Sequence, residues 1–167
     1  MNNILTFDFS VDKENKTITI TRDFDAPQDL VWDAFTKSEI LDQWWAPAPW
    51  KAKTGFQDFR EGGRWNYAMI GPEGEEHWAV FNYEKIEPKS RYTGRDSFTD
   101  AKGNPSNEAP SMHWELNFRK EGDYTRMNSL ITFAELSDLE AILKMGFKEG
   151  YTIALNGLDK WLADNRK

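Results

Sequence analysis

The C-terminal segment places the tightest constraint on what this chain can fold into. From Ser137 onward the hydrophobic period becomes helical. Leu139, Leu143, Phe147, Gly150, Ala154, Leu158 and Trp161 fall on one stripe at a spacing of about 3.6 residues. Ser137 and Glu140 have the spacing of a capping box. The pattern predicts one continuous amphipathic helix from Ser137 to the end of the chain. Such a stripe must be covered by a large apolar surface, and everything upstream that could supply one reads as sheet. Gly146, Gly150 and Gly157 each cost about 1 kcal/mol relative to alanine in a helix interior. Their presence suggests close backbone approach, a kink, or room for a bound molecule.

The upstream sequence alternates with period two. Thr17 to Phe24 sets Ile18, Ile20 and Phe24 against Thr17, Thr19 and Thr21, the pattern of a half-buried strand. Residues 1–15 alternate more weakly (Ile4, Phe7, Phe9, Val11) and are read as an extra N-terminal strand or arm. Pro27 suits a helix start. Leu30, Val31, Ala34 and Phe35 then recur at helical spacing. Ser38 is placed to cap a second short helix carrying Ile40, Leu41 and Trp44. Strand patterns follow at Trp50–Phe59, Trp65–Met69, His77–Glu87, Arg91–Phe98, Met112–Phe118 and Met127–Phe133, separated by glycine- and proline-bearing turns. The segment from Asp100 to Pro110 reads as an exposed loop. The expected fold is α+β: a curved antiparallel sheet of about six to seven strands wrapped around a long C-terminal helix, in one domain with its core at about residues 16–165.

Three stretches resemble the bacterial branch of the family named for the activator of the heat-shock protein 90 ATPase. They are Arg22 to Pro47 (RDFDAPQDLVWDAFTKSEILDQWWAP), Asp58 to Tyr67 (DFREGGRWNY) and Met145 to Leu162 (MGFKEGYTIALNGLDKWL). That family lies within the START-like, or SRPBCC, superfamily. The resemblance implies a helix-grip fold and a small hydrophobic ligand held between sheet and helix. Ala46 stands where the family usually has glycine after the paired tryptophans.

Composition narrows the partners. Lys and Arg total 21 against 28 Asp and Glu, for a net charge of −7. An acidic chain without a basic stripe is a poor nucleic-acid binder, because that affinity comes from neutralising phosphates. No apolar run approaches the roughly 18 residues of a membrane-spanning helix, so no membrane insertion is expected. The chain has 0 Cys, which excludes disulfides, thiolate metal sites and cysteine nucleophiles and fits a cytoplasmic location. The only histidines, His77 and His113, lack metal-ligand spacing. Neither a cofactor nor a metal is expected.

The aromatic share is 14%, including 8 Trp and 11 Phe, enough to line a sizeable pocket or fill a core. The candidate ligand-binding residues are Trp44 and Trp45, Trp65, Tyr67 and Met69, Trp114 and Leu116, Met127, and on the last helix Leu143, Phe147 and Tyr151. Adjacent helical residues point about 100° apart, so Trp44 and Trp45 face different surroundings. Asp96, Glu115 or Arg95 would enter the cavity only if the strand facing were reversed by one residue. The leading functional expectation is binding of a small hydrophobic or aromatic molecule. Two others stay open. One is an enzyme acting on a hydrophobic, polyketide- or lipid-like substrate, which requires titratable side chains converging in the cavity. The other is an interaction module for a chaperone or for a second copy of the chain.

Overall fold

The computed structural model describes residues 5–106 and 110–166; Ile4 and part of the Asp100–Pro110 loop lie outside them. Its elements are β1 (Phe7–Asp12), β2 (Thr17–Phe24), α1 (Gln28–Thr36), α2 (Ser38–Trp44), β3 (Lys51–Gln57), β4 (Arg64–Ile70), β5 (Glu76–Glu87), β6 (Arg91–Thr99), β7 (Met112–Glu121), β8 (Tyr124–Thr132), α3 (Leu136–Lys144) and α4 (Phe147–Asn165). All strands join one antiparallel sheet in the order β1-β2-β8-β7-β6-β5-β4-β3. The sheet has eight strands rather than six to seven. The difference is β1, whose Phe7 and Val11 stay exposed and so carry little burial signal. Its ladder with β2, from Phe7–Arg22 to Asp12–Thr17, holds it in place.

Alternation sets the inner face. Ile18 and Ile20 of β2, Trp114 and Leu116 of β7, and Met127, Ser129 and Ile131 of β8 are buried there. Arg22 and Phe24 continue the β2 row, so a guanidinium enters the core beside isoleucines. It donates to Asn156 Oδ1 of α4 at 2.9 Å, pairs with Asp159, and lies 4.6 Å from the Phe7 ring centroid. Bulges between Thr54 and Phe56 and between Tyr83 and Ile86 bend β3 and β5.

The C-terminal helix is broken. Gly146 adopts φ +92°, a left-handed conformation that glycine tolerates and other residues rarely adopt, and ends α3 before starting α4. The break resets the helical phase. The buried residues of α4 are Tyr151, Ala154, Leu155, Leu158 and Leu162, whereas Gly150 and Trp161 are only half-buried. Ser137 caps nothing, because α3 begins one residue earlier with Glu135 at its cap. Ser38 likewise lies inside α2, where its backbone N–H donates to Gln57 Oε1 at 2.9 Å. In the Asp58–Arg64 turn, the Asp58 carboxylate accepts from Arg60 Nε at 2.6 Å. Gly63 has no room for a Cβ, which would sit 2.1 Å from Asp58 O.

Gly157 behaves differently. It lies within α4, and a Cβ there would have nothing within 4 Å. Gly157→Ala therefore removes a helix-interior glycine at no steric cost. The substitution should stabilise the protein by about 0.5–1 kcal/mol and raise the unfolding temperature by about 1–4 °C. Calorimetry checks this, and a lowered unfolding temperature would contradict the absence of a steric neighbour.

Candidate functional site

The helices fill the two ends of the inner face unequally. At one end α1 packs its aromatic side into the sheet: Trp32 meets Tyr92 and Phe118 at ring distances of 5.8 and 5.5 Å, and Phe35 meets Phe118 at 5.1 Å. At the other end, beneath the α3–α4 break, a cavity of about 240 Å³ remains. It is walled by Trp45, Tyr67, Met69, Met112, Trp114, Ile142, Phe147 and Tyr151. Pro47, His77, Pro110, Met145 and Gly146 border it as well. Met145 is exposed, as is His77, whose ring lies 5.5 Å from that of Trp50.

The expected site residues divide along this line. Trp45, Tyr67, Met69, Trp114, Phe147 and Tyr151 line the cavity; Trp44, Trp65, Leu116, Met127 and Leu143 do not. Trp44 turns into α1 instead, where its indole N–H donates to Ala34 O at 2.9 Å. Trp65 stacks on Tyr67 at 4.0 Å and donates to Thr54 Oγ1 at 3.0 Å, acting as the wall behind the wall. Leu116 and Met127 are fully packed core residues, and Leu143 is half-buried against that core.

Aromatic side chains contact one another around the cavity edge to face or tilted. Trp45 lies 6.1 Å from both Trp114 and Tyr151, and Trp114 lies 5.6 Å from Tyr151. These rings are more than nine-tenths buried, with Trp45 at 8%, Trp114 at 1% and Tyr151 at 7% exposure. Nevertheless Trp114 Nε1 meets no hydrogen-bond partner among the described residues, and Trp45 Nε1 and Tyr151 Oη meet none in good geometry, their polar neighbours being the Tyr67 and Ser129 hydroxyls. A buried donor without an acceptor costs about 1–3 kcal/mol. Three such groups around one cavity make it short of acceptors.

Asp96 departs from the expectation that it enters the cavity only on a reversed strand facing. Its carboxylate is buried and borders it. No slip of register is needed: Tyr92, Gly94, Asp96 and Phe98 share the inner face of β6, and Asp96 pairs across the sheet with Phe81 and Met112. Glu115 and Arg95 face the opposite side. Glu115 accepts from Arg91 at 3.2 Å, and Arg95 donates to Ser111 Oγ at 3.3 Å. On that same outer face His113 approaches Glu84 at 2.7 Å.

The Tyr67 hydroxyl reaches both Asp96 oxygens, at 3.1 and 3.2 Å. Burial among apolar neighbours pushes the Asp96 carboxyl up to about 7, against the opposing pull of the Tyr67 hydroxyl and the Ser97 backbone N–H. Burial, then the Asp96 charge, holds the Tyr67 phenol well above its usual value. Burial also raises Tyr151. Two titratable groups, Asp96 and Tyr67, therefore converge on one apolar space. Among the described residues no group of His, Asp and Glu is arranged to hold a metal ion. No helix among them is long and apolar enough to cross a membrane.

The fold recurs in solved structures. Protein Ms6760 from Mycobacterium smegmatis superposes with a TM-score of 0.86 at 30% identity, covering 95% of this chain and 97% of that one. A protein from Arthrobacter aurescens gives a TM-score of 0.89 at 27% identity, covering 94% and 91%. The AHSA1 protein from Silicibacter pomeroyi, at 20% identity, shares the fold with a TM-score of 0.70 over 88% of this chain and 97% of its own. Among curated proteins none matches the sequence. The family model described as Activator of Hsp90 ATPase homolog 1-like protein matches residues 25–163. That span runs from the β2–α1 turn to the last turn of α4 and takes in every residue of the cavity. The chain therefore belongs to the Activator of Hsp90 ATPase homolog 1-like family.

Proposed function

We propose that this protein binds a small hydrophobic or aromatic molecule in the cavity beneath the α3–α4 break. The supporting observation is an apolar, aromatic-walled cavity of about 240 Å³ whose buried donors Trp45 Nε1, Trp114 Nε1 and Tyr151 Oη lack well-placed acceptors. Binding sites are commonly apolar with a few placed polar groups, and their volumes run from about 300 to 1,000 Å³. A cavity just below that range suits a compact ring system better than a sterol or a long acyl chain. Met69, Met112 and Met145 add side chains that adapt to irregular shapes.

The tryptophans supply an internal control. Trp44, Trp65 and Trp78 already donate their indole N–H, to Ala34 O, Thr54 Oγ1 and Glu76 Oε1. Trp45 and Trp114 do not. In a proton–nitrogen NMR titration with 2-naphthylmethanol, the indole signals of Trp45 and Trp114 should move. Those of Trp44, Trp65 and Trp78 should hold still. Movement of the second set alone, or of none, with this probe and with fused-ring ketones of similar size, counts against the reading.

A further inference from the structure

We propose that the cavity selects an arylalkylamine, a ring carrying a basic amine on a short alkyl arm, which brings a protonated nitrogen to Asp96 and an oxygen atom to the indole N–H groups of Trp45 and Trp114. This rests on the binding reading above and specifies the ligand's chemistry.

The Asp96 carboxylate is left short of donors. An ionised carboxylate offers about four acceptor sites. Asp96 receives one hydroxyl, from Tyr67, shared between its two oxygens at 3.1 and 3.2 Å, and the backbone N–H of Ser97. Its cross-strand neighbours Phe81 and Met112 offer no donor. A buried carboxylate so placed is stable only when paired with a cation or protonated. Among the described residues bordering the cavity there is no Lys or Arg to supply that cation. Among the described lining residues the other ionisable groups are His77 at the rim and the phenols of Tyr67 and Tyr151.

The walls favour the same ligand. Trp45, Trp114, Phe147 and Tyr151 present π-systems whose faces attract cations, by about 2 kcal/mol or more once water is excluded. Aromatic faces with one carboxylate attract a cation and repel an anion. The buried donors fix the other end of the ligand. The indole N–H groups of Trp45 and Trp114 can only be satisfied by an acceptor, and the Tyr151 hydroxyl can donate to the same one. A hydroxyl, ether or carbonyl oxygen on the ring supplies one without adding negative charge near Asp96.

The test compares charge at fixed shape by isothermal titration calorimetry at pH 8, using 2-naphthylmethylamine, 2-naphthylmethanol and 2-naphthoate. The wild-type protein should bind the amine at least about tenfold more tightly than the alcohol, with naphthoate weakest, because a hydrogen bond to a charged group contributes about 1.5–3 kcal/mol. In Asp96→Asn the ratio of amine to alcohol affinity should fall to near one. Alcohol or naphthoate binding as tightly as the amine in the wild type overturns the proposal. So does an Asp96→Asn protein that keeps the full ratio. Silence from all three probes defeats the binding reading itself, a result distinct from binding without preference for the amine.

Discussion

Asp96→Asn should stabilise the protein by about 2–3 kcal/mol at pH 8, and the gain should vanish below about pH 4. The sign follows from the direction of the shift. Burial raises the Asp96 carboxyl from 3.8 to about 7 in the folded protein. Between those values the folded state holds a proton that the unfolded chain has released. Stability contributed by this residue is therefore full below about pH 4 and falls as pH rises, by about 1.4 kcal/mol per pH unit, until about pH 7. Across that window the penalty approaches about 4 kcal/mol. Asparagine never ionises and keeps an acceptor for the Tyr67 hydroxyl, but its new N–H₂ finds few acceptors and takes back part of the gain. Asp12, Asp23, Asp100 and Glu115 are held below their usual values and behave oppositely. Being common to both proteins, they cancel in the difference between the two stability–pH curves. Chemical denaturation at pH 4, 6 and 8 measures that difference. A constant difference, or one that shrinks as pH rises, would show that Asp96 is not a buried, proton-holding group. A side chain that costs stability at neutral pH is a candidate for a functional one, because asparagine would serve the fold better.

The facing of Asp96 was legible, since Tyr92, Gly94 and Phe98 mark its side of β6, and yet a charged residue invites assignment to the solvent face. Period two also placed Trp65, Tyr67, Met69, Trp114, Leu116 and Met127 on the inner face. What it could not convey was position along the strands. Trp114 and Leu116 are two residues apart on the same face, yet only Trp114 borders the cavity, because Trp32 and Phe35 of α1 occupy the other end of the sheet. That is a consequence of how α1 packs, which local alternation does not encode. The break at Gly146 was signalled by glycine alone, and a helical stripe read straight through it assigned Gly150 and Trp161 to a face held by Tyr151 and Leu155. Hydrogen-bond satisfaction was the least legible property. Trp44 and Trp45 are adjacent and both buried, but only Trp44 finds a carbonyl.

Trp114→Ala should cost about 3–5 kcal/mol, a large share of the 5–15 kcal/mol that typically holds a domain together. Trp114 is 1% exposed and sits between Trp45, Phe147 and Tyr151 at 6.1, 6.0 and 5.6 Å. Removing its indole leaves a void that opens onto the existing cavity, so the surroundings cannot collapse to fill it without closing the cavity as well. The enlarged space should accept free indole. A ligand that binds only the folded state stabilises by about 2.7 kcal/mol at a hundredfold excess over its Kd. Added indole should therefore raise the unfolding temperature of Trp114→Ala far more than that of the wild type. Leu155→Ala supplies the contrast. Leu155 is fully buried in α4 but does not border the cavity. Its loss should cost about 2–5 kcal/mol with no rescue by indole. Equal rescue of both variants would mean that indole acts elsewhere, and rescue of neither would mean that the space beside Trp114 closes when its wall is removed.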